Sequence, residues 1–260
     1  MKLAAASLNQ NWENKSRNLD ICREYIQKAS SLNVDLIIFP EMTLTGFSNN
    51  IYLIAENYEK PETILKFSKL AKEFNIAIVF GVVIKNEMKA LNKSIFVDNH
   101  GNVIGDYSKI HPFSFSSEDR FFISGDRLCI VKFKDLNIGL TICYDLRFPE
   151  LYSALAKESD IIINIANWPK KRVDHWNTLL KARAIENQIF MIGVNRIGVD
   201  GNGLEYIESS QVFDANGQGL KFEISGDMKL FDIDKAFTKS FKDYFNTIND
   251  RKVELYKEIL

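Results

Sequence analysis

Apolar residues in this chain fall into short continuous runs, separated by segments with helical spacing, and the two kinds of segment alternate. The run KLAAAS (2–7) reads as a first strand; Ser7, Asn9 and Gln10 break it too early for a secretory leader. Residues 16–33 place Leu19, Cys22, Ile26 and Ala29 on one helical face, with Ser16 as the expected N-cap. DLIIFP (35–40) reads as a buried strand, 61–74 as a helix opened by Pro61 and carrying Ile64, Leu65, Phe67 and Leu70, and 76–84 as another strand. Residues 92–110 form a hairpin turning at 99–102, and LCIVKF and NIGLTI pair around a turn near Asp135. Pro149 opens a short helix, 160–167 is a strand, 174–188 is a helix with Trp176, Leu179, Leu180 and Ala184 on one face, and 189–195 is a strand. The segments 208–219 and 228–234 complete the sheets, and the polar, aromatic chain after about residue 235 is an extension expected to pack elsewhere.

No linker, low-complexity tract or short repeat interrupts the pattern, so residues 1–260 are expected to form a single α/β domain. The hairpins exclude a purely parallel sheet. Hydrophobic residues make up 46% and charged residues 26%, ordinary for a globular chain with room for a sizeable core. The net charge of −1, without a block of like charge, argues against nucleic acid or an anionic membrane as the main partner. No apolar run approaches the roughly 20 residues of a membrane span. The 3 cysteines, Cys22, Cys129 and Cys143, form no disulfide framework, and a reducing, cytoplasmic setting is expected.

Polar groups collect just after the apolar runs. Glu41 follows DLIIFP, Cys143 follows NIGLTI, Asn167-Trp168-Pro169 follows DIIINIA, and Asn195-Arg196 follows IFMIGV. Ligands of open α/β sheets gather at such carboxyl ends. Cys143 taken alone is as well explained as a core residue, since free cysteine is among the most buried types. A reactive cysteine needs a base or a cation beside it, and donors where an oxyanion forms. Of the 3 histidines, His100 sits in a hairpin turn, His175 begins a helix, and His111 stands close to Lys109; none has metal-ligand spacing. A buried carboxylate can also be the base, which makes Glu41 a candidate, with Lys109 supplying positive charge.

With these residues in place, FPEMTLTGF (39–47), YSKIHPF (107–113) and GLTICYDLRFPEL (139–151) resemble the signature segments of the nitrilase, or carbon–nitrogen hydrolase, superfamily. The resemblance covers nearly the whole chain and implies an αββα sandwich: two mixed sheets packed face to face, with helices outside. It implies a catalytic triad of Glu41, Lys109 and Cys143, with Glu118 as the assisting second glutamate. It also implies a homodimer, and the extension after about residue 235 is expected at the dimer interface. The segment 166–203 is similar to the omega-amidase branch, which hydrolyses the terminal amide of 2-oxo acid amides. Tyr144-Asp145 stands where nitrilases carry Trp-Glu, a departure that argues against nitrile hydrolysis.

The implied chemistry is amide hydrolysis through a Cys143 thioester. Glu41 is the base, Lys109 and the backbone N–H of Tyr144 hold the oxyanion, and no metal or organic cofactor takes part. Asn167 and Trp168 are expected beside the pocket, and Arg172 is the candidate for a substrate carboxylate, which arginine can bind bidentately. Asp145 and Arg147 are expected to make structural contacts. Competing readings are a deaminated-glutathione amidase, a carbamoyl-amine hydrolase, a nitrilase, or a scaffold that kept the fold without catalysis. The presence of all the triad residues weighs against the last.

Overall fold

The computed structural model describes residues 1–259. Its first sheet contains β1 (Lys2–Ala6), β2 (Leu36–Ile38), β3 (Ala77–Asn86), β4 (Lys89–Val97), β5 (Val103–Ser108), β13 (Glu223–Ser225) and β14 (Met228–Asp232), in the order β13-β14-β1-β2-β3-β4-β5. The second sheet contains β6 (Ile130–Phe133), β7 (Leu136–Ile142), β8 (Ile161–Ala166), β9 (Phe190–Asn195) and β12 (Gln211–Phe213), in the order β12-β9-β8-β7-β6. A small hairpin, β10 (Gly198–Val199) with β11 (Glu205–Tyr206), stands apart. The helices are α1 (Lys15–Ser31), α2 (Ile51–Ile54), α3 (Glu62–Phe74), α4 (Glu118–Phe121), α5 (Pro149–Leu155), α6 (Val173–Asn187), α7 (Lys235–Tyr244) and α8 (Val253–Ile259).

Both sheets are mixed. β1, β2 and β3 run parallel, as do β7, β8 and β9, while hairpins and returns supply the antiparallel edges. The strands are apolar at both parities because both faces are buried. Leu3, Ala5, Leu36, Ile38, Ala77 and Val79 face Ile138, Leu140, Ile142, Ile161, Ile163 and Ile165 in a core between the sheets. The alternate residues Ala4, Ala6, Ile37, Ile78 and Phe80 pack against Cys22, Ile26 and Phe67 of α1 and α3. Ile162 and Met191 pack against Leu155, Trp176 and Leu180 of α5 and α6. Each fully buried aliphatic side chain contributes about 1.5–3 kcal/mol, so the sandwich rests on three apolar layers and not on its polar groups.

The local signals act largely as read. Pro149 occupies the first turn of α5, and α3 stops where Asn75 turns left-handed at φ +51°. The cap of α1 is different: Asn14, not Ser16, accepts the Arg17 N–H, and Ser16 lies inside the first turn. The stretch after residue 235 is helical, with the Asp234 side chain capping α7. Among the described residues no helix is long and apolar enough to cross a membrane.

Candidate active site

The parallel strands of both sheets end on one side of the molecule. Glu41 follows β2 and is fully buried. Its loop is held tightly: the side-chain amide of Gln10 donates to the carbonyls of Glu41, Met42 and Thr43 at 3.0, 3.0 and 3.1 Å. Met42 adopts φ +46°, and its N would lie 2.2 Å from a Cβ at position 81, so only glycine on β3 lets the loop come this close. The Glu41 carboxylate accepts from Lys109 Nζ at 3.1 Å, Asn92 Nδ2 at 2.8 Å and the Asn167 N–H at 3.0 Å.

Lys109 follows β5, and its ammonium also donates to both Glu118 oxygens, at 3.1 and 2.8 Å. Glu118 opens α4 and takes a further hydrogen bond from the Phe113 N–H. The ammonium and both carboxylates are withdrawn from solvent. The sequence-derived residues Glu41, Lys109 and Glu118 are therefore brought into direct contact.

Cys143 stands where β7 turns sharply, at φ +46°. A non-glycine residue in this region carries strain, and such strain accumulates at functional turns. The turn is fixed from below by Asp145, which is fully buried. Its carboxylate accepts from the Ile142 N–H at 3.0 Å, the His111 N–H at 3.0 Å and Tyr107 O–H at 2.7 Å, and lies 2.8 Å from His111 Nδ1. Tyr107 and His111 flank Lys109 in the chain, so Asp145 ties the lysine segment to the cysteine turn. His111 is thereby committed to Asp145 and stacks on Phe148 with ring centres 3.7 Å apart. His100 is exposed in its turn, and His175 meets Arg147 at the surface. Arg183 of α6, which the apolar periodicity left unassigned, braces the same turn by donating twice to the Leu146 carbonyl, at 3.1 and 2.9 Å.

Burial pushes the Cys143 thiol well above its ordinary range, and the charges of Glu41 and Glu118 push it further, against the opposing pull of Lys109. These surroundings favour the thiol over the thiolate. Burial alone would lower Lys109, but the carboxylates of Glu118 and Glu41 outweigh it and hold the ammonium above its usual range. Burial raises Glu118 despite its ion pair with Lys109.

Cys143 and Lys109 open onto a cavity of about 490 Å³, including its mouth. Tyr144, Asn167, Trp168 and Arg172 also line it, so every residue expected at the site reaches it except the buried acids behind Lys109. Asn167 uses its side-chain amide on the Glu41 carbonyl at 2.7 Å, while its own carbonyl lies 3.9 Å from Cys143 Sγ. Trp168 belongs both to the cavity wall and to the core, where it packs on Trp176. Its indole N–H donates to the Arg172 carbonyl at 2.7 Å, which fixes the arginine's backbone. The Arg172 guanidinium lies 5.4 Å from the Phe113 ring. Arg147, expected to be structural only, also lines the cavity, 4.9 Å from the Trp168 ring. Arg196 lies behind the wall, 4.7 Å from the Tyr206 ring. Among the described residues the lining holds cations and no acid, and no cluster of His, Cys, Asp and Glu is arranged as a metal site.

The two-sheet sandwich sets a cysteine at a strained strand end beside buried acids and a lysine, the surroundings a nucleophilic thiol requires. The carbon–nitrogen hydrolase family model matches residues 2–223, and the chain belongs to this family, the nitrilase superfamily. It is 35% identical over 203 residues to the omega-amidase YafV of Yersinia enterocolitica, covering 78% of this chain and 75% of that protein. It is 32% identical over 235 residues to a 2-oxoglutaramate amidase of Paenarthrobacter nicotinovorans, covering 85% and 80%. A crystal structure of a CN-hydrolase superfamily protein from Xanthomonas campestris, with an arsenic adduct in its active site, superposes with a TM-score of 0.89 at 30% identity over 97% of both chains. The protein is a hydrolase acting on carbon–nitrogen bonds, similar to the omega-amidases.

Proposed function

We propose that the protein is an omega-amidase: it cleaves the terminal amide of short 2-oxo acid amides, 2-oxoglutaramate and 2-oxosuccinamate, to the 2-oxo acid and ammonia. The observation that carries this reading is the cavity itself. Cys143 and Lys109 lie in the same wall system as Arg147 and Arg172, and no acid competes for those guanidinium groups within the lining. A substrate with an amide at one end and a carboxylate at the other matches that arrangement. A neutral amide would leave the cations without a partner, and a substrate carboxylate buried without one would cost several kcal/mol.

In this reading Glu41 takes the proton of Cys143, and the sulfur attacks the amide carbon. Lys109 and the Tyr144 N–H stabilise the oxyanion, a donor of this kind being worth roughly 3–4 kcal/mol. The carbon–nitrogen bond breaks as Glu41 returns the proton to the leaving nitrogen, which departs as ammonia. Water, deprotonated by Glu41, then attacks the thioester carbon and releases the acid and the thiol. Glu118 holds Lys109 in place throughout.

Arg172 is assigned to the substrate carboxylate. Arg172→Ala is expected to lower kcat/KM for 2-oxosuccinamate by roughly a hundredfold, the worth of a charged hydrogen-bonded pair, while a neutral amide of similar length is little affected. Equal losses on both substrates would make Arg172 structural. No loss on either would move the carboxylate site to another cation, with Arg147, which also lines the cavity, next to be tested.

The reading extends to a homodimer that uses the C-terminal extension. Leu255, Tyr256 and Ile259 of α8 are exposed, as are Tyr244 and Phe245 at the end of α7, which is an unusual density of apolar groups for a free surface. Removal of residues 246–260 is expected to convert a dimer into a monomer by light scattering; an unchanged mass would place the contact elsewhere.

A further inference from the structure

Asn92 lies within β4, well inside a strand, and is almost fully buried. It nevertheless touches three of the groups assigned to the chemistry. Its side-chain Nδ2 donates to Glu41 Oε1 at 2.8 Å and to Glu118 Oε1 at 3.1 Å. Its backbone carbonyl accepts the Lys109 N–H at 2.9 Å. We propose that Asn92 is a positioning residue for the reaction: its amide holds the two acids at fixed places around the single ammonium and keeps Glu41 aimed at the thiol. The proposal rests on the reading of Glu41 as the base.

The charge balance shows why such a residue is needed. Two carboxylates share one lysine in a space closed to water, so the acids repel each other and compete for the same ammonium. Lys109 makes two of its contacts to Glu118 and one to Glu41. The competition therefore favours Glu118; the Asn167 N–H holds Glu41 Oε2 at 3.0 Å, and Oε1, whose partner Lys109 is shared with Glu118, needs a second donor. Asn92 supplies the counterweight: a neutral donor that reaches both acids and adds no charge.

The other end of the amide supports the same conclusion. Asn92 Oδ1 is buried without a hydrogen-bond partner. Here the acceptor is left unpaired so that the donor can face both acids. The reverse orientation would set an oxygen against two carboxylates, so their negative charge fixes the direction of the amide.

The charged and titratable groups around Asn92 are Glu41 and Glu118, Lys109, and the Cys143 thiol beyond them. Donation to a carboxylate favours its ionised form, so losing the donor disfavours the base form of the acid pair. Asn92→Ala and the near-isosteric, uncharged Asn92→Leu are the variants to make. Ammonia release from the amide substrate gives kcat and KM. Alkylation of Cys143 by iodoacetamide against pH, with Cys143→Ala as the background, reads the base without depending on the identity of the substrate.

Both variants are expected to lose about tenfold or more in kcat with KM nearly unchanged, the size of a partial loss of general-base catalysis. In Asn92→Ala the acidic limb of the alkylation profile is expected to move up by about one pH unit. Asn92→Leu nearly keeps the volume and adds no charge, so a folded but slow Asn92→Leu separates positioning from packing. Wild-type alkylation profiles and kcat in either folded variant would overturn the proposal. If the amide substrate is wrong but the positioning role is right, ammonia release is absent in every variant while the alkylation profile still shifts.

Discussion

Cys143→Ala is expected to abolish turnover in a protein that stays folded. In the proposed mechanism the sulfur is the attacking atom, and neither Cys22, on the buried face of α1, nor Cys129 on the way into β6 is at the cavity. Loss of a nucleophile from a cooperating set costs on the order of 10⁶ in kcat, so the residual rate should fall below detection. Folding should change little. The sulfur's hydrogen-bond contact is a long one to the Asn167 carbonyl, and the turn is held by Asp145 and Arg183 rather than by Cys143 itself. The two parts are checked together by ammonia release and thermal melting of the same sample. Measurable hydrolysis in pure, folded Cys143→Ala would remove the covalent mechanism.

Lys109→Ala is expected to do damage of both kinds. For the chemistry, loss of an oxyanion donor lowers kcat by roughly 10²–10³. For stability, the motif alone suggests a modest effect, and the contacts correct that. Lys109 is the cation shared by two carboxylates that have no access to water. Removing one partner of a buried ion pair typically costs about 3–5 kcal/mol, because the remaining charge is stranded. The melting temperature should therefore fall by roughly 10 °C. Turnover must be measured well below the melting temperature of the variant to separate the two effects. A folded Lys109→Ala with near-normal kcat would mean that backbone donors alone hold the oxyanion.

The strands and most helices were legible because they obey simple burial. Ile161, Ile163 and Ile165 face the other sheet while Ile162 faces a helix, so the run is apolar throughout and unmistakable. Glu41, Lys109 and Cys143 were legible because each breaks such a pattern at a strand end, and because three motifs occur in order. Asn92 was not, since a polar residue in a strand looks like ordinary alternation until its neighbours across the sheet are known. Arg147 was read as structural for a related reason: spacing within the motif does not tell whether a side chain turns toward the cavity. Arg183 lay on the buried face of α6, where periodicity predicts an apolar residue, and its partner is a carbonyl far away in sequence. In the extension, Phe237, Phe241 and Phe245 recur every four residues, a helical signal that the polar composition around them obscured. Phe237 and Phe241 stack along α7, Phe245 meets Phe241 edge-on just past its end, and Phe237 reaches Phe190 of β9.

In the proposed reading Glu41 supplies the base the thiol needs, and the carboxylate of a short 2-oxo acid amide supplies the anion for the cavity's cations. The most direct test is the release of ammonia from 2-oxoglutaramate by the purified protein, followed together with the appearance of 2-oxoglutarate. The account predicts equal amounts of both products, faster than from neutral amides of the same length, and none with Cys143→Ala. Rapid hydrolysis of neutral amides with no ammonia from 2-oxoglutaramate or 2-oxosuccinamate would contradict it.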